Sequence, residues 1–520
     1  MIDAAEDAAR RVEDFLTRRQ LGLLLCWTAT LFVAGVLISR ARPFWFDEIF
    51  TWSIAHPGGS SSIIDQLRHQ VDQQPPPFFW LTRLAFLFTS NEHIAARLPG
   101  VFGFWLMTVC VFRFVQRRGG VLLGSLAVGV ILNTLAVRHF VEARPYGLVL
   151  GFSALALVSW QAASEPDRRL WSLAGIAVGI AGCVSSSYYG VLVVVPVALA
   201  ELVRTATRRH LTSRAVDIRV WLALALGAAT AIPWVPLALS GVSSLSGKNW
   251  ATPHRFSFVG AYTELLSPLS LLILASAILI GIHTAVSAPW ASRPATTMHF
   301  SWPEMAAVVT FALIPLIGLI VALVWINAYN ARYVLVGVVG VGILLAIVAW
   351  NAVRGSPLVL LCLLVAAVFG AAANGARQFY YGGSRQPANS FALADVVSGQ
   401  PASLPIVVDD PLACLEMMHY GQPEFTRRLV FLVDPPNQAQ YAEVPYEGAT
   451  WLTMARMWSG VRAESLAPFL QQNSRFLLAD EDSIHAFVLR LMIVRKATIR
   501  LVAVSGGLKV YLVTIDPAGL

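Results

Sequence analysis

The feature that most constrains this chain is a succession of apolar stretches, each long enough to cross a bilayer as a helix. About 30 Å of hydrocarbon, crossed at about 1.5 Å per residue, takes roughly 20 residues. Such stretches lie near 21–39, 97–115, 120–137, 145–162, 170–187, 188–203, 220–239, 264–286, 303–325, 333–350 and 357–374, which reads as about eleven spans. The pair around CVSSSYYG at 183–190 reads either as two spans joined by a tight turn or as a single interrupted helix. Charged residues make up 13% of the chain, against roughly a quarter in soluble domains. The deficit ends near residue 375, where the composition becomes that of an ordinary globular segment.

The net charge of +8 does not point to nucleic acid, because most of the arginines sit in short loops between apolar stretches. With the N-terminus inside, the cytoplasmic pieces hold Arg10, Arg11, Arg18 and Arg19, then QRR at 116–118, DRR at 167–169, the Arg-rich 204–219 loop, Arg293 and Arg354. Every one is basic, as the positive-inside bias requires. Eleven spans then place the C-terminus outside, and the expected location is the plasma (inner) membrane. Residues 1–20 are amphipathic and charged, with no small-residue cleavage site after the next apolar run. They read as a cytoplasmic segment and not as a signal peptide. The outer side owns the loop 41–96, the turn 138–144, residues 246–258 and 327–333, and the tail from 375. Within the first loop, 47–55, 61–71 and the Pro-started 75–88 have helical spacing. They are expected in the membrane interface, with Trp45, Trp52 and Trp80 at headgroup level.

After a linker at 375–403, residues 404–520 alternate strands and helices. LPIVVDD, RRLVFLVD, SRFLLAD, TIRLVAVSG and LKVYLVTI read as strands, and DPLACLEMMHYG and SIHAFVLRLMIV as helices, which predicts a small α/β domain. It contains no phosphate loop, dinucleotide turn or nucleophile elbow. Asp409 and Asp410 follow a strand, where a strand-end turn is the simpler reading. The five cysteines form no disulfide or zinc pattern, and His56, His69, His93 and His139 lack ligand spacing. No internal repeat of the transporter kind is present.

Charged and aromatic groups gather at the ends of the spans assigned to the outer face. They are Asp47 and Glu48, then Arg138, His139, Glu142 and Arg144, then Tyr188 and Tyr189, Lys248 and Arg255, and finally Arg332 with Tyr333. Carboxylates can take a proton and guanidinium groups can clamp a phosphate, so the set suits a reaction in which a lipid phosphate leaves. Blander readings stand beside this one. Asp47 and Glu48 can be solvated interfacial acids. Glu142 can pair with Arg138 or Arg144 merely to orient the turn, Arg332 can snorkel at a helix end, and Tyr188 and Tyr189 can form an aromatic belt.

The pieces RPFWFDEIFTWSIA, QQPPPFFWLTRL, ARLPGVFGF, VEARPYGLVLG and NARYVLVG resemble, in order and spacing, the GT-C glycosyltransferases. Within them the chain is most similar to the bacterial branch of the protein O-mannosyltransferase-like superfamily, which includes the lipid A aminoarabinose transferases. The resemblance covers roughly residues 20–350, and the Asp-Glu pair is its most specific part. It implies a helical polytopic GT-C-like membrane domain followed by the C-terminal α/β domain. It also implies an inverting transfer of a hexose or pentose from a polyprenyl-phosphate donor to a protein, lipid or polysaccharide acceptor on the outer face. Carried over, Asp47 is the general base, Glu48 its partner acid, and Glu142 a second acidic residue. Arg144 and Arg332 are donor-phosphate ligands, with Lys248, Arg138 and Arg255 behind them. Gln74, Tyr188, Tyr189 and Tyr333 are acceptor or substrate contacts. Gln74 is a departure, since relatives often have His before the paired prolines. The resemblance names no certain cofactor and leaves room for a divalent metal. Two rival functions stay open: a transporter or flippase for a lipid-linked substrate, and a non-catalytic envelope assembly protein.

Overall fold

The structure, a computed structural model, describes residues 2–59, 61–209, 216–244, 249–287, 300–384, 393, 399–444, 448–505 and 508–515. Lys248, Arg293, part of the Arg-rich loop (210–215) and residues 385–392 and 394–398 of the 375–403 linker lie outside the described residues. The chain divides into two compact units. The first comprises Met1–Ala41, Gln74–Ala238 and Pro253–Tyr381, and the second Arg42–Gln73, Leu239–Thr252 and Gly382–Leu520.

The first unit is helical. Among the described residues seven helices are long and apolar enough to cross a membrane, with an eighth span if Trp302–Ala312 and Ile314–Ile326, bent by 55°, count as one. Two shorter apolar helices, Tyr146–Ala162 and Gly337–Ala352, accompany them. The 40-residue helix Glu92–Ile131 is broken at Gly120, whose φ of 79° is a left-handed value that L side chains rarely adopt. With its two limbs separated, every apolar stretch read from the sequence coincides with a helix or a helix limb. The ambiguity at 183–190 resolves into two helices. Pro166–Ser186 stops at Ser186, Ser187 is extended, and a 3-10 turn over Tyr188–Val193 opens the next helix, Val194–Arg209.

The seam between Glu92–Ile131 and Tyr146–Ala162 is built from glycines. A Cβ on Gly103 would lie 2.4 Å from Gly147 O, one on Gly147 2.3 Å from Gly100 O, and one on Gly151 2.2 Å from Gly103 O. In a bilayer, where no hydrophobic effect drives helices together, such close backbone approach is what holds them. These glycines come from ARLPGVFGF and RPYGLVLG, two of the resembling pieces. The N-terminal helix Ile2–Arg18 belongs to the same unit. Its buried Glu6 accepts hydrogen bonds from Ser356 Oγ and, at 3.5 Å, from Leu358 N, capping the start of Pro357–Ser384.

The second unit carries a six-stranded sheet. Its strands are β1 (Ile406–Val408), β2 (Leu429–Val433), β3 (Ala463–Ser465), β4 (Arg475–Asp480), β5 (Thr498–Ser505) and β6 (Leu508–Thr514), in the order β3-β2-β1-β4-β6-β5. β1 to β4 are parallel, and β6 and β5 close the sheet as an antiparallel pair. The sequence predicts five of these strands and misses β3. With three residues and no buried run, β3 carries no apolar signature. The helix expected over 483–494 is confined to Val488–Val494. Helices Phe46–Ala55 and Ile63–Arg68 of the first loop belong to this unit and pack on it. Phe50 meets Trp458 edge-on at 5.4 Å, and Trp458 Nε1 donates to Gln66 Oε1 at 2.8 Å. Trp52, expected at headgroup level, packs against His419 at 4.8 Å and His56 at 4.9 Å.

Candidate active site

In the second unit, Asp47 and Glu48 occupy the first turn of Phe46–Ala55. A helix start leaves backbone N–H groups without intrahelical acceptors and favours negative charge there. Here the acceptors come from two glutamates far apart in sequence. Glu48, fully buried, turns back so that Oε2 accepts the Trp45 N–H at 3.3 Å, and Glu416 Oε1 accepts the Phe46 N–H at 3.1 Å. Tyr420 Oη accepts the Phe44 N–H at 2.5 Å. Glu416 and Tyr420 lie on one helix of the α/β domain, Pro411–Tyr420, which packs directly on Phe46–Ala55. Charge-assisted bonds of this kind are among the stronger ones a protein makes. They fix the backbone that presents Asp47, whose side chain is half-buried.

Neither Glu416 nor Tyr420 stands out in the sequence. Nothing in an apolar-looking helix 370 residues away signals that it will cap a loop. Asp409 and Asp410 prove to be caps as well. Asp409 accepts the N–H groups of Phe487, Val488 and Leu489 at 3.0 to 3.1 Å, and Asp410 Oδ1 accepts Ala413 N–H at 2.7 Å. Full burial pushes the Asp409 carboxyl up to about 7, against the pull of its three backbone donors. These acids order the domain, in keeping with the strand-end reading.

In the first unit, a second cluster forms where Glu92–Ile131 begins and Tyr146–Ala162 begins. Arg97 is fully buried and donates from Nη1 to Ser39 O at 2.9 Å, at the C-terminal end of Gln20–Ala41. One turn further on, Gly100 underlies the backbone carbonyls of Glu142 and Arg144. Glu142 and Arg144 are both buried. Glu142 Oε2 is hydrogen-bonded to Nδ1 of the buried His139, whose ring meets Tyr146 edge-on at 4.9 Å. His139, which has no metal-ligand spacing in the sequence, is thus a titratable partner of Glu142. His139 closes the 3-10 turn Leu135–His139, and Glu142 follows three residues later in the irregular segment before Tyr146–Ala162. Arg97 belongs to none of the sequence-level site candidates. The signal that marks it is its place inside an apolar run, where an arginine is costly and usually functional.

Arg138 and Arg255 are exposed. The 3-10 turn Ala331–Val334 is capped by Asn330, whose side chain accepts Arg332 N–H at 3.1 Å. Arg332 lies 5.7 Å from the Tyr333 ring centroid, and Tyr333 stacks on Tyr189 at 5.1 Å. The Tyr189 hydroxyl donates to Ala328 O. Tyr188 is half-buried, and Gln74 is buried with no hydrogen-bond partner for Oε1 among the described residues. The helix Ser257–Leu266 touches both the His139 turn and the Arg332 turn, so these groups share one end of the first unit. Among the described residues no three His, Cys, Asp or Glu side chains are grouped to hold a metal ion.

Comparison with known proteins bears on this end of the molecule. The family model for dolichyl-phosphate-mannose-protein mannosyltransferase matches residues 73–236, the segment that builds the Arg97–Glu142–Arg144 cluster. Among solved structures, ArnT from Cupriavidus metallidurans in the apo state aligns over 95% of this chain and 98% of its own, with 13% identity and a TM-score of 0.59. The same protein bound to undecaprenyl phosphate aligns over the same shares, with 12% identity and a TM-score of 0.56. At that identity the likeness is one of fold. No curated protein sequence matches the chain.

Proposed function

We propose that this chain is a glycosyltransferase of the GT-C superfamily that transfers a monosaccharide from a polyprenyl-phosphate donor to an acceptor hydroxyl, a reading supported by its fold likeness and by the family match over residues 73–236. The observation that carries this reading is that the matched segment supplies the buried Glu142–His139 pair and the buried Arg144. A buried guanidinium on the lip of a helix bundle is what an anionic lipid phosphate requires of its binding site.

In the proposed reaction the Asp47 carboxylate removes the acceptor hydroxyl proton while the oxygen attacks the anomeric carbon. The bond from that carbon to the phosphate oxygen breaks, inverting the centre, and its electron pair leaves on polyprenyl phosphate. Arg144 and Arg332 stabilise the charge that develops there, with the exposed Arg138 and Arg255 drawing the donor in. Glu48 works through backbone geometry, holding the turn that carries Asp47. The site faces the extracytoplasmic side of the plasma membrane, as does the α/β domain, with the N-terminus in the cytoplasm.

Asp47→Asn tests the assignment. Removing a general base costs roughly a hundred- to ten-thousand-fold in rate, so purified Asp47→Asn should bind lipid-linked donor normally and transfer almost no sugar. Transfer at the wild-type rate would sink the mechanism. Translocation of lipid-linked sugar in vesicles without turnover would favour a flippase.

A further inference from the structure

The limb of Glu92–Ile131 that begins near Arg97 ends near Arg118, and 21 residues of helix put these arginines about 30 Å apart, one membrane thickness. At the Arg118 end a second polar assembly lies within the first unit, and the proposed reaction makes no use of it. Glu304, nearly fully buried, accepts from Arg118 Nε at 2.9 Å and Nη2 at 2.8 Å, from Gln161 Nε2 at 2.8 Å, and from Ser301 N and Oγ at 2.8 and 2.9 Å. Glu201, equally buried, accepts from Trp160 Nε1 at 2.9 Å and pairs with Arg204, which sits over the Trp160 ring at 4.8 Å. Both carboxylates are therefore consumed, one by Arg118 and one by Arg204.

What remains is positive. Arg204 Nη1 and Arg208 Nη2 both donate to one neutral acceptor, Ser164 Oγ, at 3.0 and 3.3 Å. Arg204 is buried, and its Nε has no hydrogen-bond acceptor among the described residues. Two guanidinium groups converging on a hydroxyl mark a place where an anionic oxygen would be better held than a serine. These groups line a cavity of about 380 Å³ whose wall also includes Arg118, Thr207 and Trp302, a volume within the usual range for a small-ligand site. Trp302 is 81% exposed at its rim, as tryptophans are at headgroup level. The helices that wall the cavity expose Leu199, Leu202 and Val309, apolar surface suited to acyl chains.

We propose that this cavity binds the phosphodiester headgroup of an anionic membrane lipid, at the membrane face opposite Glu142 and Arg144. Arg204 and Arg208 donate to the phosphate oxygens, and Ser164 contributes its hydroxyl. Basic pockets between membrane helices recognise anionic headgroups by this chemistry.

The test uses the full chain in nanodiscs of equimolar phosphatidylglycerol and phosphatidylcholine, with native mass spectrometry of the lipid each protein molecule retains. Wild type should retain phosphatidylglycerol over phosphatidylcholine by about tenfold, equivalent to about 1.4 kcal/mol. The Arg208→Gln/Ser164→Ala variant should retain the two equally. Thr207→Asp, which adds negative charge at the exposed rim without touching the Glu201 and Glu304 pairs, should do the same if the double variant fails to fold. Equal retention by wild type overturns the proposal, and so does a preference that survives both variants. Inorganic phosphate distinguishes a free-anion site: displacement of the retained lipid by phosphate alone would overturn the lipid assignment.

Discussion

Glu416 bears on the proposed reaction through the backbone it holds. Its carboxylate satisfies the first N–H of the helix that carries Asp47, and an unmet donor there would let the turn shift. A misplacement of about 1 Å at a reacting group can cost on the order of a hundredfold. Glu416→Ala should therefore lower kcat by roughly ten- to a hundredfold with KM for the lipid donor unchanged. Glu416→Gln, whose amide oxygen still accepts that bond, should recover most of the rate. Steady-state kinetics of the two variants decide the matter, since a purely structural loss would lower the amount of folded enzyme and leave kcat per folded molecule intact. Asp47, Glu142, Arg144 and Arg332 can be picked out as single letters because charge at a span end is unusual. Glu416 and Tyr420 cannot, because each matters through a partner that only the folded chain supplies, and the bond of His139 to Glu142 is likewise seen only in the fold.

The helices are legible because a bilayer imposes length and apolarity on every span, and both are local properties of sequence. Short soluble elements lack that imposed signature, which is why β3 goes unseen. The glycine seam between Glu92–Ile131 and Tyr146–Ala162 falls between these cases, since its residues are visible as motif letters but their packing role is not. Gly147→Val places methyl groups where Gly100 O already stands at 2.3 Å from the Cβ position, and overpacking of this sort costs about 1–3 kcal/mol. The variant should show a clearly lower melting temperature in detergent by fluorescence-detected size exclusion. Gly260→Ala, where a Cβ meets nothing within 4 Å, should melt with wild type.

For the whole molecule, the division into units crosses the sequence order. Arg42–Gln73 and Leu239–Thr252 group with the α/β domain, while the helices before, between and after them form the other unit. The α/β domain is thus the seat of the helix that presents Asp47, a role its own sequence does not disclose. The proposed sidedness rests on counting spans, and single cysteines in a cysteine-free background test it. Ser60→Cys, Trp250→Cys and Gln472→Cys should react with a membrane-impermeant maleimide added to intact cells, whereas Arg168→Cys should not. Labelling at 60 without labelling at 472 would move the α/β domain to the other side.

By itself the sequence determined that this chain is a many-helix membrane protein with an α/β domain at its end. Burial in hydrocarbon acts on each span separately and leaves its mark in consecutive residues. Tertiary structure alone decided that the loop after the first span is built onto that domain, that His139 is bonded to Glu142, and that Arg204 and Arg208 converge on Ser164 at a cavity at the far end. Those outcomes depend on which distant groups meet, and hydrogen bonds closed across 370 residues leave no periodic trace along the chain.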